Sequence, residues 1–358
     1  MARGRRGRGR PVNGIVVVDK AQGLSSNDML QRIKRLFGAA KAGHTGSLDP
    51  LATGVLPICF GEATKFSQFL LESDKAYRAT VKMGVKTSTG DAEGEVIETR
   101  PVQVTKTDVE AVLSRFVGEL EQVPSMYSAL KYKGQPLYKL AREGIEVERQ
   151  ARKIHIYHLS LLSFSEDSFD IDVACSKGTY IRTLVEDIGE TLGCLAHVEA
   201  LRRVKAGPYG IDQSYTLDEL FALRNEGRHK ALTQEQAEEL EALMARVDEV
   251  GRDSLDADEL ELMMALLRTR NQGGLALLDA LLQPQDSAVS HWPEVRLGES
   301  SAFFVSQGQP VQVPGAPVSG HVRIYGHCND SSGGGFMGVG EINEDGLVAP
   351  KRLVKIKH

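Results

Sequence analysis

Gly43-His44-Thr45-Gly46-Ser47-Leu48-Asp49-Pro50-Leu51-Ala52-Thr53-Gly54 is the stretch that decides how this chain reads. Its three glycines and its proline break both helix and strand, so it forms a loop of fixed shape. The loop presents one carboxylate, Asp49, whose backbone is restricted by the proline that follows it. The apolar run 55–60 behind it predicts a buried strand that anchors the loop, and segment 27–37 ahead of it predicts a helix. A surface turn with a solvated aspartate would account for an isolated Asp-Pro pair but not for the whole run.

Outward from this loop the pattern alternates between the two periodicities. Residues 14–18 are a short apolar run ending in Asp19-Lys20 and read as a buried strand. Segment 77–83 places Tyr77, Ala79, Val81 and Met83 on one face, and segment 168–175 does the same with Phe169, Ile171, Val173 and Cys175, as half-buried strands do. Segment 153–164 predicts another strand and 105–116 a helix. In 180–192 the set Ile181, Leu184, Val185, Ile188 and Leu192 follows helical spacing. Strands and helices intersperse without a βαβ rhythm, which predicts an α+β fold rather than a doubly wound one.

Four regions follow from composition. Residues 1–12, rich in Gly and Arg, predict a disordered basic tail, and 13–284 form the main domain. Within it, 229–272 reads as an acidic helical insertion with Ala237, Leu240, Leu243, Met244, Val247 and Val250 on one stripe. Beyond Pro284 the residues shift to Val, Gly and Pro, with strand-like runs at 302–305 and 321–325, so 285–358 predicts a small all-β domain.

At 358 residues, 41% hydrophobic and 25% charged, the chain has the composition of a soluble globular protein of two domains. No apolar run reaches the length of a membrane span, and the Arg-rich start lacks the apolar core of a signal peptide. Cys59, Cys175, Cys194 and Cys328 are scattered without a CxxC pair, so a reduced cytoplasmic protein with neither zinc site nor disulfide framework is expected. The net charge of −5 speaks against nucleic acid only superficially. Residues 235–261 alone carry −9, which leaves +4 for the rest, and phosphate binding responds to local rather than total charge. The Arg-rich tail fits RNA binding and mere solubility equally well.

Some apparent motifs fail. His155 and His158 are three apart on a predicted strand, where they should point to opposite faces, so no metal site is expected. Gly333-Gly334-Gly335 lacks the Lys-Ser/Thr ending of a phosphate loop and reads as a flexible turn. Ser47, His44 and Asp49 crowd into one loop, which is poor ground for a hydrolytic triad.

The run 43–54 closely resembles the catalytic motif of TruB-type tRNA pseudouridine synthases. The resemblance extends to Asp19-Lys20-Ala21-Gln22-Gly23-Leu24-Ser25-Ser26, to Lys75-Ala76-Tyr77-Arg78, and to Cys175-Ser176-Lys177-Gly178-Thr179-Tyr180-Ile181-Arg182. It continues in His197-Val198-Glu199-Ala200-Leu201-Arg202-Arg203, and 338–353 is similar to the family's PUA-like RNA-binding domain. The acidic segment departs from the compact pattern. The continuation Leu51-Ala52-Thr53-Gly54-Val55-Leu56-Pro57 resembles the stand-alone bacterial branch rather than the guide-RNA-dependent one.

The resemblance implies a pseudouridine synthase fold, a mixed, largely antiparallel sheet with flanking helices, followed by the PUA-like β domain. It implies isomerisation of uridine 55 in the T arm of tRNA, by a monomer, with no cofactor, metal or membrane. That reaction breaks the N1–C1′ bond, rotates the base and rejoins it through C5, a redox-neutral change that a carboxylate can drive. Asp49 is implied as the central group, with Tyr77 and Arg182 as its catalytic partners. His44, Tyr180, Leu201, Lys20 and Asp91 are implied as substrate-binding positions, Tyr77 also serving as the platform under the flipped base. Each has a plainer reading: Tyr77 and Leu201 as core residues, Asp91 as a turn former. Arg182 has support of its own, because a cation near a helix start is disfavoured unless an anion, a carboxylate or a phosphate, lies beside it. An RNA-binding protein or tRNA-folding chaperone is the alternative from another class.

Overall fold

The computed structural model describes residues 9–128, 130–251, 254–326 and 335–355. The strands of the main domain are β1 (Gly14–Lys20), β2 (Ala42–His44), β3 (Thr53–Phe60), β4 (Lys75–Met83), β5 (Val85–Thr87), β6 (Val96–Thr99), β7 (Gly118–Gln122), β8 (Lys131–Tyr132), β9 (Gln135–Pro136), β10 (Arg152–Phe164), β11 (Ser168–Cys175), β12 (Ala196–Ala206) and β13 (Tyr209–Gly210). Its helices are α1 (Ser26–Leu36), α2 (Ser67–Leu71), α3 (Lys106–Arg115), α4 (Leu137–Arg142), α5 (Ile181–Leu192), α6 (Leu217–Lys230), α7 (Gln234–Val250) and α8 (Ala257–Asp279). The C-terminal part holds β14 (Glu294–Leu297), α9 (Glu299–Ser306), β15 (Gly320–Gly326), β16 (Gly335–Ile342) and β17 (Val348–Leu353).

Nine strands form one sheet in the order β1-β3-β12-β4-β11-β10-β7, with β2 attached to β3 and β13 to β12. Every pairing in it is antiparallel except β12 with β3. The fold is thus α+β with a mixed, largely antiparallel sheet and flanking helices. The alternation in β4 and β11 is realised in register, Val81 opposite Phe169 and Ala79 opposite Ile171, all buried. Against this face pack Met29, Ile33 and Leu36 of α1 and Leu184, Val185 and Ile188 of α5, forming the main core. The start of α1 is set by Ser25, which accepts from the backbone of Asp28 while Asp28 reaches back, a capping box worth about 0.5–2 kcal/mol.

A second core lies on the other side of β1 and β3. There Ile15, Val17 and Val55 meet Phe66, Leu70, Val289 and Val339, so the C-terminal sheet (order β14-β15-β16-β17) is joined to the main domain by apolar contact.

Four expectations differ from what is observed. Residues 302–305, read as a strand, lie in α9: Ala302 and Val305 are buried three apart while Phe303 and Phe304 face out, a helical spacing that a four-residue apolar run conceals. The acidic segment 229–272 is not one helix. It takes the end of α6, all of α7 and most of α8, with Asp256 capping the start of α8. The α7–α8 pair has a small core of its own, Leu240, Leu243, Met263 and Leu266. Its helix α8 crosses α6 closely because a Cβ at Gly274 would stand 2.6 Å from the Arg224 carbonyl. Of the basic tail, residues 9–12 are held in place: Arg10 pairs with Asp279 and bridges to Ala39, and Val12 is buried. The remainder of the tail, Cys328 and Gly333-Gly334 lie outside the described residues. Finally, a bulge between Ile156 and His158 turns His155 and His158 to the same face of β10 rather than to opposite faces.

Candidate active site

The loop 43–54 links β2 to β3 and faces a cavity of about 700 Å³, within the size range of pockets for small organic groups. Several separate elements supply its walls. The loop brings His44, Ser47, Leu48, Asp49 and Pro50; β4 brings Tyr77; the turn after β5 brings Thr89 and Asp91; the start of α5 brings Tyr180 and Arg182; β12 brings Leu201. Seven of the eight residues singled out from sequence therefore line one cavity.

Asp49 lies in its wall. Arg182 Nε lies 3.1 Å from Asp49 Oδ2, with the arginine side chain 6% exposed and the aspartate 41%. The guanidinium meets Asp49 through Nε. Its Nη1 donates to the Thr89 carbonyl and its Nη2 to the Tyr127 carbonyl, each at 2.8 Å, so the backbone fixes the arginine and leaves Nε for the carboxylate. Asp91 Oδ2 is 3.6 Å from Nη1. Two carboxylates thus explain a cation at the first turn of α5, where the helix dipole opposes it. The start of that helix is pinned by Gln122, which donates to the Tyr180 carbonyl and accepts from the Tyr180 amide.

The electrostatics of Asp49 are contested. Burial raises its pKa above the ordinary carboxylate value and the charge on Asp91 adds to that, while Arg182 and Lys20 pull it down; the net direction is upward. Burial also raises the Tyr77 hydroxyl, opposed by the charge on Arg203. His44 is held below the usual histidine value by burial and by Arg203, and its Nδ1 is a buried atom without a partner. Among the described residues no hydrogen bond joins His44 to Ser47 or Asp49, so no triad is assembled.

Asp91 forms its own turn, the plainer of its two sequence readings, by accepting from Thr89 Oγ1 at 2.6 Å and from the Glu93 amide at 3.1 Å. It also lines the cavity.

Lys20 is the exception among the substrate-binding candidates. It is fully buried and its Nζ donates to the carbonyls of Ala21 (2.9 Å), Leu24 (2.6 Å) and Pro50 (3.3 Å). Burial lowers its pKa to about 8, with Asp49 opposing. It holds the loop from behind instead of facing the cavity.

Residues that sequence reasoning passed over complete the wall: Asn27, Glu93, Tyr127, Ser128, Tyr138 and Arg142. Arg142 lies 5.7 Å from the Tyr138 ring on α4, giving the mouth an aromatic and a cation. Neither residue stands in a sequence pattern that separates it from an ordinary helix surface.

A carboxylate that opens onto a cavity and is fixed by a buried arginine, beside an aromatic ring and a leucine, can act on a planar base as nucleophile or base. Comparison with known proteins agrees. Family models match residues 34–181 (TruB family pseudouridylate synthase, N-terminal domain), 182–290 (tRNA pseudouridylate synthase B C-terminal domain) and 293–354 (pseudouridine synthase II TruB, C-terminal). The chain is 49% identical over 346 residues to tRNA pseudouridine synthase B of Stutzerimonas stutzeri, covering 97% of each. It is 49% identical over 350 residues to that of Vibrio parahaemolyticus, covering 98% of each.

The chain belongs to the TruB family.

Two solved structures share its fold. One, a Cbf5-Nop10-Gar1 complex, matches with a TM-score of 0.63 and 23% identity over 99% of this chain and 90% of that one. The other, the archaeal box H/ACA sRNP Nop10-Cbf5 complex, matches with a TM-score of 0.61 and 21% identity, over 96% and 86%. Within the TruB-family framework the cavity is built by two of the matched models, Asp49, Tyr77 and Tyr180 from the first and Arg182 and Leu201 from the second. The acidic segment falls inside the second. Among the described residues no helix is long and apolar enough to cross a membrane.

Proposed function

We propose that this chain converts uridine 55 in the T arm of tRNA to pseudouridine. The observation that carries the proposal is the Asp49–Arg182 contact, 3.1 Å long, in the wall of a cavity that also holds Tyr77. The target base leaves its stack and enters the cavity, where Tyr77 offers a face for it and Leu201 and Tyr180 close the sides. Arg182 favours the ionised form of Asp49 against the effect of burial and fixes its orientation. Asp49 then acts on the nucleotide as nucleophile or base. The N1–C1′ bond breaks, the base turns, C5 bonds to C1′, and the C5 proton departs while N1 takes one up. Tyr77 helps to remove the C5 proton. The sum is an isomerisation, so no donor or oxidant is consumed.

The C-terminal domain, read as PUA-like, extends the RNA contact surface without adding catalytic groups. His44 contacts RNA beside the flipped base. The buried free thiols Cys59, Cys175 and Cys194 suit a reducing cytoplasmic setting, and the chain acts as a monomer. The assay is release of tritium from unmodified tRNA labelled at C5 of its uridines. A single equivalent per tRNA supports the reading; binding without release favours the RNA-chaperone alternative.

A further inference from the structure

One position on β12 lies between the two halves of the active site. Arg203 pairs with Tyr77 of β4 on one side and with Gly54 of β3, at the end of the Asp49 loop, on the other. The approach to Gly54 admits no side chain, because a Cβ there would stand 2.2 Å from the Arg203 carbonyl oxygen. The Arg203 side chain is 1% exposed. Its Nε donates to the Val55 carbonyl at 2.7 Å and its Nη2 to the Gly46 carbonyl at 3.3 Å, so it ties the two ends of the loop that carries Asp49.

Burying a guanidinium is expensive unless a carboxylate and further hydrogen bonds compensate it. The neighbouring Arg202 has such a partner, Asp19, at 2.6 Å. Among the described residues, Arg203 forms no ion pair with a carboxylate; its donors serve backbone carbonyls and reach toward the Tyr77 hydroxyl. A second buried cation, Lys75, lies close enough for the charge on Arg203 to lower its pKa. A core arginine held at this cost, where an apolar side chain would pack more cheaply, calls for a role in the site.

We propose that Arg203 is a positioning residue of the isomerase, clamping the Asp49 loop at both ends and keeping an unneutralised positive charge behind Tyr77 and His44. The fork geometry does the clamping, since a single ammonium cannot serve both carbonyls in the same directions. The charge opposes the rise that burial gives the Tyr77 hydroxyl and adds to the lowering that burial gives His44. The inference rests on the proposed isomerase activity for its kinetic consequence, but not for its structural one.

The test compares Arg203→Lys, which keeps charge without the fork, with Arg203→Met, which keeps neither, each shown to be folded by thermal melting. Both should lose kcat by about tenfold or more while KM for tRNA moves less than about threefold. The His44 pKa, followed by NMR in the free protein, should rise in Arg203→Met and stay in Arg203→Lys. Amide exchange of 46–55 should quicken in both. Wild-type kcat in a folded Arg203→Lys variant, with unchanged exchange in the loop, would overturn the clamp. An unmoved His44 in Arg203→Met would overturn the charge role; should that variant not fold, Arg203→Gln serves for the same titration. If the wild-type protein makes no pseudouridine, the proposed function fails, and the titration and exchange still decide the placement of Arg203.

Discussion

Asp49 Oδ2 and Arg182 Nε lie 3.1 Å apart, and the arginine in this contact is almost wholly buried while the aspartate opens onto the cavity. The asymmetry is functional. The arginine is held by the carbonyls of Thr89 and Tyr127, so the side chain proposed to act on substrate is steadied by one fixed to the backbone. Asp91 stands behind Arg182 and shares its charge, which makes the neutral form of Asp49 easier to reach.

The pH dependence follows in sign. In the proposed reaction turnover needs ionised Asp49, and its pKa in the free protein is raised above the ordinary 3.8, so the acid limb of kcat/KM should lie above that value. Asp91→Asn keeps the acceptor used by Thr89 and Glu93 but removes the charge that raises Asp49. The acid limb should therefore shift to lower pH in that variant. A shift to higher pH, measured from kcat/KM between pH 4 and 8 (roughly the span in which such limbs fall), would show that Asp91 acts on Asp49 in some other way.

Tyr77 separates platform from proton transfer. Tyr77→Ala removes the ring and should weaken base capture by about 1–3 kcal/mol, along with turnover. Tyr77→Phe should bind tRNA nearly as wild type, and its residual rate then reports the hydroxyl alone. Equal catalysis by Tyr77→Ala and wild type would return the residue to the core.

The acidic hairpin should face away from RNA. Glu238, Glu241, Asp248 and Glu249 are exposed on α7, and carboxylates near phosphate would repel it. Replacing these four by their amides should leave tRNA affinity unchanged or slightly improved at about 0.1 M salt. A large loss of affinity in a filter-binding titration, with the fold intact, would place α7 in the binding surface.

Much of this site is legible in sequence because local chemistry dictates it. Gly and Pro punctuation marks the Asp49 loop, a period of two sets the face of Tyr77, and a cation misplaced at a helix start points to the anion near Arg182. What is not legible depends on tertiary approach. Tyr127 and Ser128 reach the cavity from a loop, and Tyr138 and Arg142 from a helix of six residues, with no periodic signal. Lys20 reads as a substrate-binding position and is buried among three carbonyls, which no neighbour in sequence announces. The bulge at His158 and the helix at 302–305 fail for a related reason: a one-residue slip or a short apolar run reverses which faces match.

The most direct test is mapping of pseudouridine at single-nucleotide resolution in unmodified tRNA incubated with the wild-type protein and with Asp49→Asn. The account predicts conversion at uridine 55 by the wild type and none by the variant, which should still bind tRNA within about tenfold, roughly 1.4 kcal/mol. Conversion by Asp49→Asn at a rate well above background would contradict it.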